Sequence, residues 1–437
     1  MRFPQAPPAI DHEVAPGASP TLPDGRYLHW NELRHREPPP GVRVLEWWAS
    51  MRAARRGQSR ALEAMTACYR APFGVVLLPA VERKLHAFDR TNVGEKILSA
   101  LGNDEARIEY RVRQLIEESI SSSEIEGARP TTRELARQML RDRRAPVSVS
   151  ERMIVNNLRA MERIRELHAS GASLEMPELL ELHRILGEGA LEVEGAAGVL
   201  RGPEHEVMVS DADGTVWHRP PAARGIGPRV EALLEFANGG RDDEDERQFV
   251  HPIVRAIVAH FWLGYEHPFR DGNGRIARAL FYWVLLRHGY EVAEFLSISG
   301  PIERSPRAYY LAFAHTETDG GDLTYFVLHQ LETMEAALAD LLSHLTARAS
   351  RMRALRELGK VFEGLNNRQR ALVDHAMRHP DEGHTIEGHA TSHGVHYMTA
   401  RADLADLVAK RLLTSRRVRT AKLYVASPSL LRRRKAK

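Results

Sequence analysis

Cysteine occurs once, at Cys68. A single thiol excludes a disulfide framework and a CxxC-type zinc site. No apolar run approaches the roughly 18 residues that span a bilayer, and no N-terminal stretch has the pattern of a secretory signal. The expectation is a soluble, cytoplasmic protein with no membrane partner. Walker A and Rossmann glycine fingerprints are absent, so P-loop kinase and dehydrogenase chemistry have no support. No internal repeat indicates a solenoid. Charge of one sign is also scarce: the net charge is +3, which excludes a polycation that binds nucleic acid along its whole length. Only the end is biased, since Arg411 to Lys437 holds ten Lys or Arg and no Asp or Glu.

The chain has 437 residues, of which 43% are hydrophobic, enough for two or three domains with sizeable cores. The start, "MRFPQAPPAIDHEVAPGASPTLPDG", is rich in Pro, Ala and Gly without an apolar period and reads as flexible. A compact cap should follow, burying Trp30, Trp47 and Trp48. Helical spacing dominates thereafter. Ile108, Val112, Leu115, Ile116 and Ile120 recur on one face of "RIEYRVRQLIEESISSSEIEG", and Gly127 stops that helix. Thr131 and Glu134 form a capping-box pattern for the next. Further helices are expected at 150–168, 176–188, 227–238, 247–266, 274–289, 304–316 and 322–358. One hairpin interrupts them in "EHEVMVSDADGTVWHRPP", turning at Asp213 and Gly214. The fold class is therefore all-α with one inserted β-hairpin. Four regions are expected: 1–70 (start and cap), 71–174 (N-terminal helices), 175–350 (core) and 351–437.

In "FVHPIVRAIVAHFWLGYE", Phe249, Ile253, Ile257, Phe261 and Tyr265 form one stripe. Val250, Val254, Val258 and Trp262 form the next. So wide an apolar face implies a central buried helix, with His251 and His260 as satisfied core histidines. Pro268 disfavours helical geometry at His267, placing "HPFRDGNGRIAR" on a loop between two core helices. Gly272 and Gly274 let backbone N–H groups approach a ligand. The following helix opens with unpaired amides and a dipole that favours anions. Arg275 and Arg278, spaced i, i+3, suit phosphate oxygens. Asp271 is a hard oxygen donor for Mg²⁺, and His267 is the loop's neutral-pH base. Cradle, metal, cations and base are suited to transfer of a phosphate-linked group.

"HPFRDGNGRIAR" resembles the Fic family signature, His-x-Phe-x-Asp/Glu-Gly-Asn-Gly-Arg-x-x-Arg, at every fixed position. The resemblance implies an all-α Fic core that moves AMP from ATP to a Ser, Thr or Tyr hydroxyl of a target protein, itself included, and releases pyrophosphate. It implies His267 as base and Asp271 holding Mg²⁺ at the α- and β-phosphates. Asn273 with the Gly272 and Gly274 backbone would bind phosphates, Arg275 the β-phosphate and Arg278 the γ-phosphate. Phe269 would anchor the loop. Val207, Met208 and Val209 would belong to a flap that aligns the target segment. "RAYYLAF" resembles the adenine-pocket stretch, making Tyr309 and Tyr310 candidates. The family's Asn beyond it is missing, with Glu317 as nearest equivalent.

"SSSEIEG" resembles the family's inhibitory motif, Ser/Thr-x-x-x-Glu-Gly/Asn, in Ser122, Glu126 and Gly127. By that resemblance Glu126 would pair with Arg278 and displace the γ-phosphate. After residue 360, "NNRQRALVDHAM", "HTIEGHATSHGV" and "HYMTARADLADLVAKRLL" read as three helices and "TSRRVRTAKLYVAS" as a β-wing. This resembles a winged helix-turn-helix, with Arg416, Arg417, Arg419, Lys422 and the tail "LRRRKAK" able to neutralise DNA phosphates. His384, His389, His393 and His396 crowd one stretch, but HExxH is absent. The expectation is a self-inhibited protein adenylyltransferase, as monomer or homodimer. Two alternatives are AMP removal from a modified target and a non-catalytic, nucleotide-sensing DNA-binding regulator.

Overall fold

The computed structural model describes residues 3–8, 18–90, 104–129, 133–210, 213–239, 249–357, 364–418 and 421–435. The expected capping residue Thr131, the wing residue Arg419 and residues 358–363 lie outside them. The described residues are mainly helical, with three two-stranded antiparallel sheets. No described helix is long and apolar enough to cross a membrane. Contacts divide the chain into two units, each assembled from segments distant in sequence.

The first unit comprises 1–90, 159–293 and 298–336. Its heart is the central helix, Pro252–Glu266, nearly every side chain of which is buried. The helix starts at Pro252, short of the expected 247. Proline fills the first position, where no amide partner exists. The His251 side chain caps the end by accepting from the Ile253 amide at 3.2 Å. His251 is thus a cap, bonded also to Asp89 at 3.1 Å. His260 is fully buried and bonded to the Tyr309 hydroxyl at 2.9 Å. The motif helix, Asn273–Arg287, packs against the central helix with equally few exposed side chains.

The expected helix at 304–316 is found as Pro306–Thr318, preceded by a separate short helix, Ser299–Arg304. Pro306 removes an amide and forces Ser305 out of helical geometry, to φ −140° and ψ 60°. The cap buries Trp30 and Trp48 with Leu22, Leu28, Leu33 and Met51, and Trp47 packs against them. The Pro-rich start is partly held: Phe3 meets Trp217 edge-on at 5.9 Å, and the Pro20 carbonyl accepts from Arg55 at 2.8 Å. Beyond the expected hairpin, Ser59–Ala61 pairs with Gly74–Val76. These strands have three residues each, too few to show an alternation.

The second unit comprises 91–158, 294–297 and 337–437. Helix Asp104–Ile125 contributes Ile116 and Ile120 to a core with Ala136, Met139, Leu140 and Ile154. Helices Asn367–Arg378, Ile386–His393 and Tyr397–Ala409 and the hairpin of Leu413–Val418 with Ala421–Ala426 form a module around Leu372, Val373, Leu404 and Leu407. Helix Ile386–His393 packs on helix Asp104–Ile125. Arg368 joins the module to that helix by bonding Glu105 at 2.7 Å and Asp403 at 2.8 Å.

Candidate active site

The loop from His267 to Gly272 joins the ends of the central and motif helices. His267 closes the central helix in the left-handed region, at φ 50° and ψ 58°. Its amide donates to the Leu263 carbonyl at 2.9 Å. Nδ1 lies 3.1 Å from the Gly264 carbonyl. A carbonyl only accepts, so Nδ1 carries the proton and Nε2 is the basic atom of the neutral ring.

A helix end leaves its last carbonyls without intrahelical donors. Here the carbonyls from Tyr265 to Pro268 are met from the segment around the hairpin. His218 Nε2 bonds the Tyr265 carbonyl at 2.7 Å. Arg201 donates from Nη2 to Glu266 O at 3.1 Å, from Nε to His267 O at 2.7 Å and from its amide to Pro268 O at 2.9 Å. Burial holds the Arg201 pKa below its usual value. The Glu266 carboxylate, itself fully buried, takes a two-pronged ion pair from Arg229 at 2.7 and 2.9 Å and a hydroxyl bond from Tyr69 at 2.5 Å. Pairing both oxygens offsets the cost of burying that charge.

The far side of the loop is held just as closely. Phe269 is fully buried and stacks on His183, ring centroids 3.6 Å apart. His183 Nδ1 accepts from the Gly198 amide at 2.9 Å, so Nε2 carries the proton and donates to Asp271 O at 2.9 Å. Burial lowers the His183 pKa to about 4, which keeps that donor arrangement in place at neutral pH. Asn273 turns both ends of its amide to Phe269, accepting its N–H at 2.9 Å and donating to its carbonyl at 2.8 Å. Its side chain thus fixes the loop through Phe269.

Gly272 is the cap of the motif helix at φ 78°. A Cβ there would stand 3.3 Å from both His183 Nε2 and Arg275 Nη2. The amides of Asn273, Gly274 and Arg275 open that helix and have no intrahelical acceptors, an anion cradle by construction. The Asp271 carboxylate is half-exposed and accepts the Gly272 amide at 2.5 Å. Among the described residues no three His, Cys, Asp or Glu converge as a metal cage. A lone hard carboxylate beside anion-binding amides fits Mg²⁺ that keeps water and phosphate ligands; it does not fit a zinc cage. Arg275 and Arg278 are each 1% exposed. Arg275 donates to the Leu186 carbonyl at 2.9 Å. Arg278 lies near enough to His260 to add its charge to burial in holding that imidazole neutral.

The hairpin pairs Val209 with His218 and Ser210 with Val216 around an irregular register. Val207 and Met208 precede the strand, and Met208 is 48% exposed. Among the described residues this sheet has two strands, so one edge of Val209–Ser210 has no described strand beside it. His218 ties the hairpin down through Glu317, at 2.8 Å, as well as through Tyr265. Glu317, expected beside a nucleoside, is engaged by that pair. Of the two tyrosines, Tyr309 faces the core among Phe313, Phe326 and His260. Tyr310 is half-buried, with its ring 6.3 Å from Trp217 of the hairpin. Ser122, Glu126 and Gly127 belong to the second unit. There Ser122 is buried, Glu126 half-buried, and Gly127 turns the helix end at φ 94°.

Arg201, His183 and His218 were not legible as site residues. Their loop partners stand 66, 88 and 47 positions away in sequence, and none belongs to a spaced motif.

Residues 173–285 match the family model described as Fic/DOC family. Protein adenylyltransferase fic-1 of Caenorhabditis elegans is 39% identical over 165 residues, covering 38% of this chain and 28% of that protein. Protein adenylyltransferase Fic of Nematostella vectensis is 35% identical over 118 residues, covering 27% of this chain and 24% of that protein. The chain thus spans about a quarter of the length of these relatives. A solved Fic family protein from Desulfovibrio desulfuricans G20 aligns with a TM-score of 0.48 and 20% identity, over 80% of this chain and 95% of that one.

Proposed function

We propose, from the match of residues 173–285 to the Fic/DOC family model, that the chain transfers AMP from ATP to a hydroxyl of a target protein. One observation carries the reading. The tautomer that makes His267 Nε2 basic is set by Gly264, and that imidazole sits on the loop that runs directly into the amides opening the motif helix. In the reaction Nε2 takes the proton of the target hydroxyl as its oxygen attacks the α-phosphorus. The bond to the bridging oxygen breaks and pyrophosphate leaves. The cradle of Asn273, Gly274 and Arg275 amides holds phosphate oxygens, with Arg275 assigned to the β- and Arg278 to the γ-phosphate. Asp271 would hold Mg²⁺, which supplies neutralising charge when bound. The open edge of Val209–Ser210 would pair with an extended target segment.

The spacing Ser122-x-x-x-Glu126-Gly127 supports an inhibitory role in which Glu126 competes for Arg278. A charge-assisted pair is worth about 1.5–3 kcal/mol, or one to two decades in occupancy. With α-labelled ATP and Mg²⁺, Glu126→Gly is expected to raise labelling about tenfold or more, and His267→Ala to abolish it. Undiminished labelling by His267→Ala would end the enzyme reading. Equal labelling by wild type and Glu126→Gly would end the inhibitory one. Removal of AMP is told apart by incubating AMP-modified target with and without the Glu126 carboxylate.

The C-terminal module is proposed as a winged helix that meets DNA backbone. Arg417 and Lys422 face each other in register on its exposed hairpin, and Arg416 is exposed beside them. Three phosphate contacts predict a log–log salt slope of about −2.7. An electrophoretic shift that disappears with rising salt, and is weakened in Arg416→Ala/Arg417→Ala, supports this; no shift of any duplex at low salt refutes it.

A further inference from the structure

Six successive carbonyls, Leu263 to Pro268, run through the end of the central helix into the motif loop, and each meets a donor. His267 serves two of them, with its amide and Nδ1. The other four are served from outside the loop by just two residues, Arg201 and His218. A helix C-terminus carries partial negative charge, so a permanent cation there is favourable as well as bonded. Arg201 Nη2 also reaches the Pro221 carbonyl at 2.6 Å, closing the base of the chain excursion that carries the hairpin. The His218 ring is fixed in turn by Glu317. The atom so enclosed is the backbone of a non-glycine residue at φ 50°, a conformation that persists only when its surroundings over-determine it.

We propose that Arg201 and His218 are positioning residues for the base. They clamp the backbone of His267 in its left-handed conformation, so that the hairpin meant to align the target also sets the imidazole that deprotonates it. The assignment rests on the AMP-transfer reading of His267. Neither residue touches a reacting atom; both act through the carbonyls around one. Their chemistry differs. The Arg201 guanidinium addresses three carbonyls at fixed angles, which a lysine ammonium on a flexible stem cannot reproduce. His218 links Tyr265 to Glu317, and a glutamine keeps an N–H for Tyr265.

The full chain carrying Glu126→Gly is the parent for the test. Arg201→Lys is expected to lower kcat about 10²-fold with KM for ATP little changed. His218→Ala should lower kcat similarly, and His218→Gln should recover much of it. Hydrogen exchange supplies a readout independent of turnover. In Arg201→Lys, amides from His267 to Asn273 should exchange faster while those of Leu280 to Leu286 in the motif helix stay protected. Unchanged kcat and exchange in Arg201→Lys would overturn the proposal. So would a loss confined to KM, or exchange that rises equally along the motif helix, either of which makes Arg201 a general support of the fold. A parent that transfers no AMP would sink the enzymatic reading, and the exchange arm would still decide whether the clamp exists.

Discussion

The Asn273 side chain holds the motif loop through both polar groups of one neighbour. Its amide copies the hydrogen-bonding pattern of a backbone pair and completes both polar groups of Phe269, a residue with no exposure to water. Asn273→Ala would orphan a buried N–H and a buried carbonyl, each at about 1–3 kcal/mol. The urea midpoint should fall accordingly, and AMP transfer should fall with it. Asn273→Asp separates the two bonds, since a carboxylate still accepts the Phe269 N–H but faces the Phe269 carbonyl without a donor. Its stability should therefore lie with that of Asn273→Ala or below. A midpoint equal to wild type for either variant would show that the loop is fixed by its flanking helices alone.

At the scale of elements, legibility followed the range of the cause. The motif was legible because its residues are contiguous and a proline and two glycines punctuate it. The central helix was legible because a face apolar all round can only be buried. Its start was not, because the apolar stripes continue back to Phe249 and Val250, whereas the chain enters the helix at Pro252. Phe249 remains 48% exposed. The break at Ser305 was announced by Pro306, but the periodicity on either side masked it. The pairing of Ser59–Ala61 with Gly74–Val76 depends on close approach: a Cβ on Gly74 would fall 2.3 Å from Ser59 Oγ. Nothing local requires it. The same holds for Arg201, His183 and His218, whose roles exist only once distant carbonyls and amides are brought to them. Conversely, the resemblance at Tyr309 was local, and its core packing against Phe313 and Phe326 was decided by tertiary structure.

For the whole molecule, buried histidines set the response to acid. In the first unit burial lowers His183, His315 and His329 to about 4 and His29 to about 2, and holds His260 well below its ordinary value. Unfolding returns each to an ordinary value near 6.5, so between about pH 6.5 and 4 the unfolded unit binds more protons. Stability rises with pH across that window; it is fully present above 6.5 and lost as the pH falls through the folded values. Asp319 opposes them. Burial raises its pKa to about 6, so the folded carboxyl holds a proton that the unfolded one has released, and its contribution favours the fold as pH falls. Five histidines against one carboxyl leave a net uptake of about four protons on unfolding near pH 5. All six tryptophans, Trp30, Trp47, Trp48, Trp217, Trp262 and Trp283, belong to this unit, so tryptophan fluorescence follows its unfolding and not that of the other. Urea titrations read by fluorescence from pH 7 to 4.5 should show a falling free energy with a slope approaching about four protons near pH 5. His183→Gln keeps a donor for Asp271 but cannot titrate, and should reduce the slope by about one. A free energy flat with pH, or a slope the substitution leaves untouched, would mean that these imidazoles are already charged inside the fold.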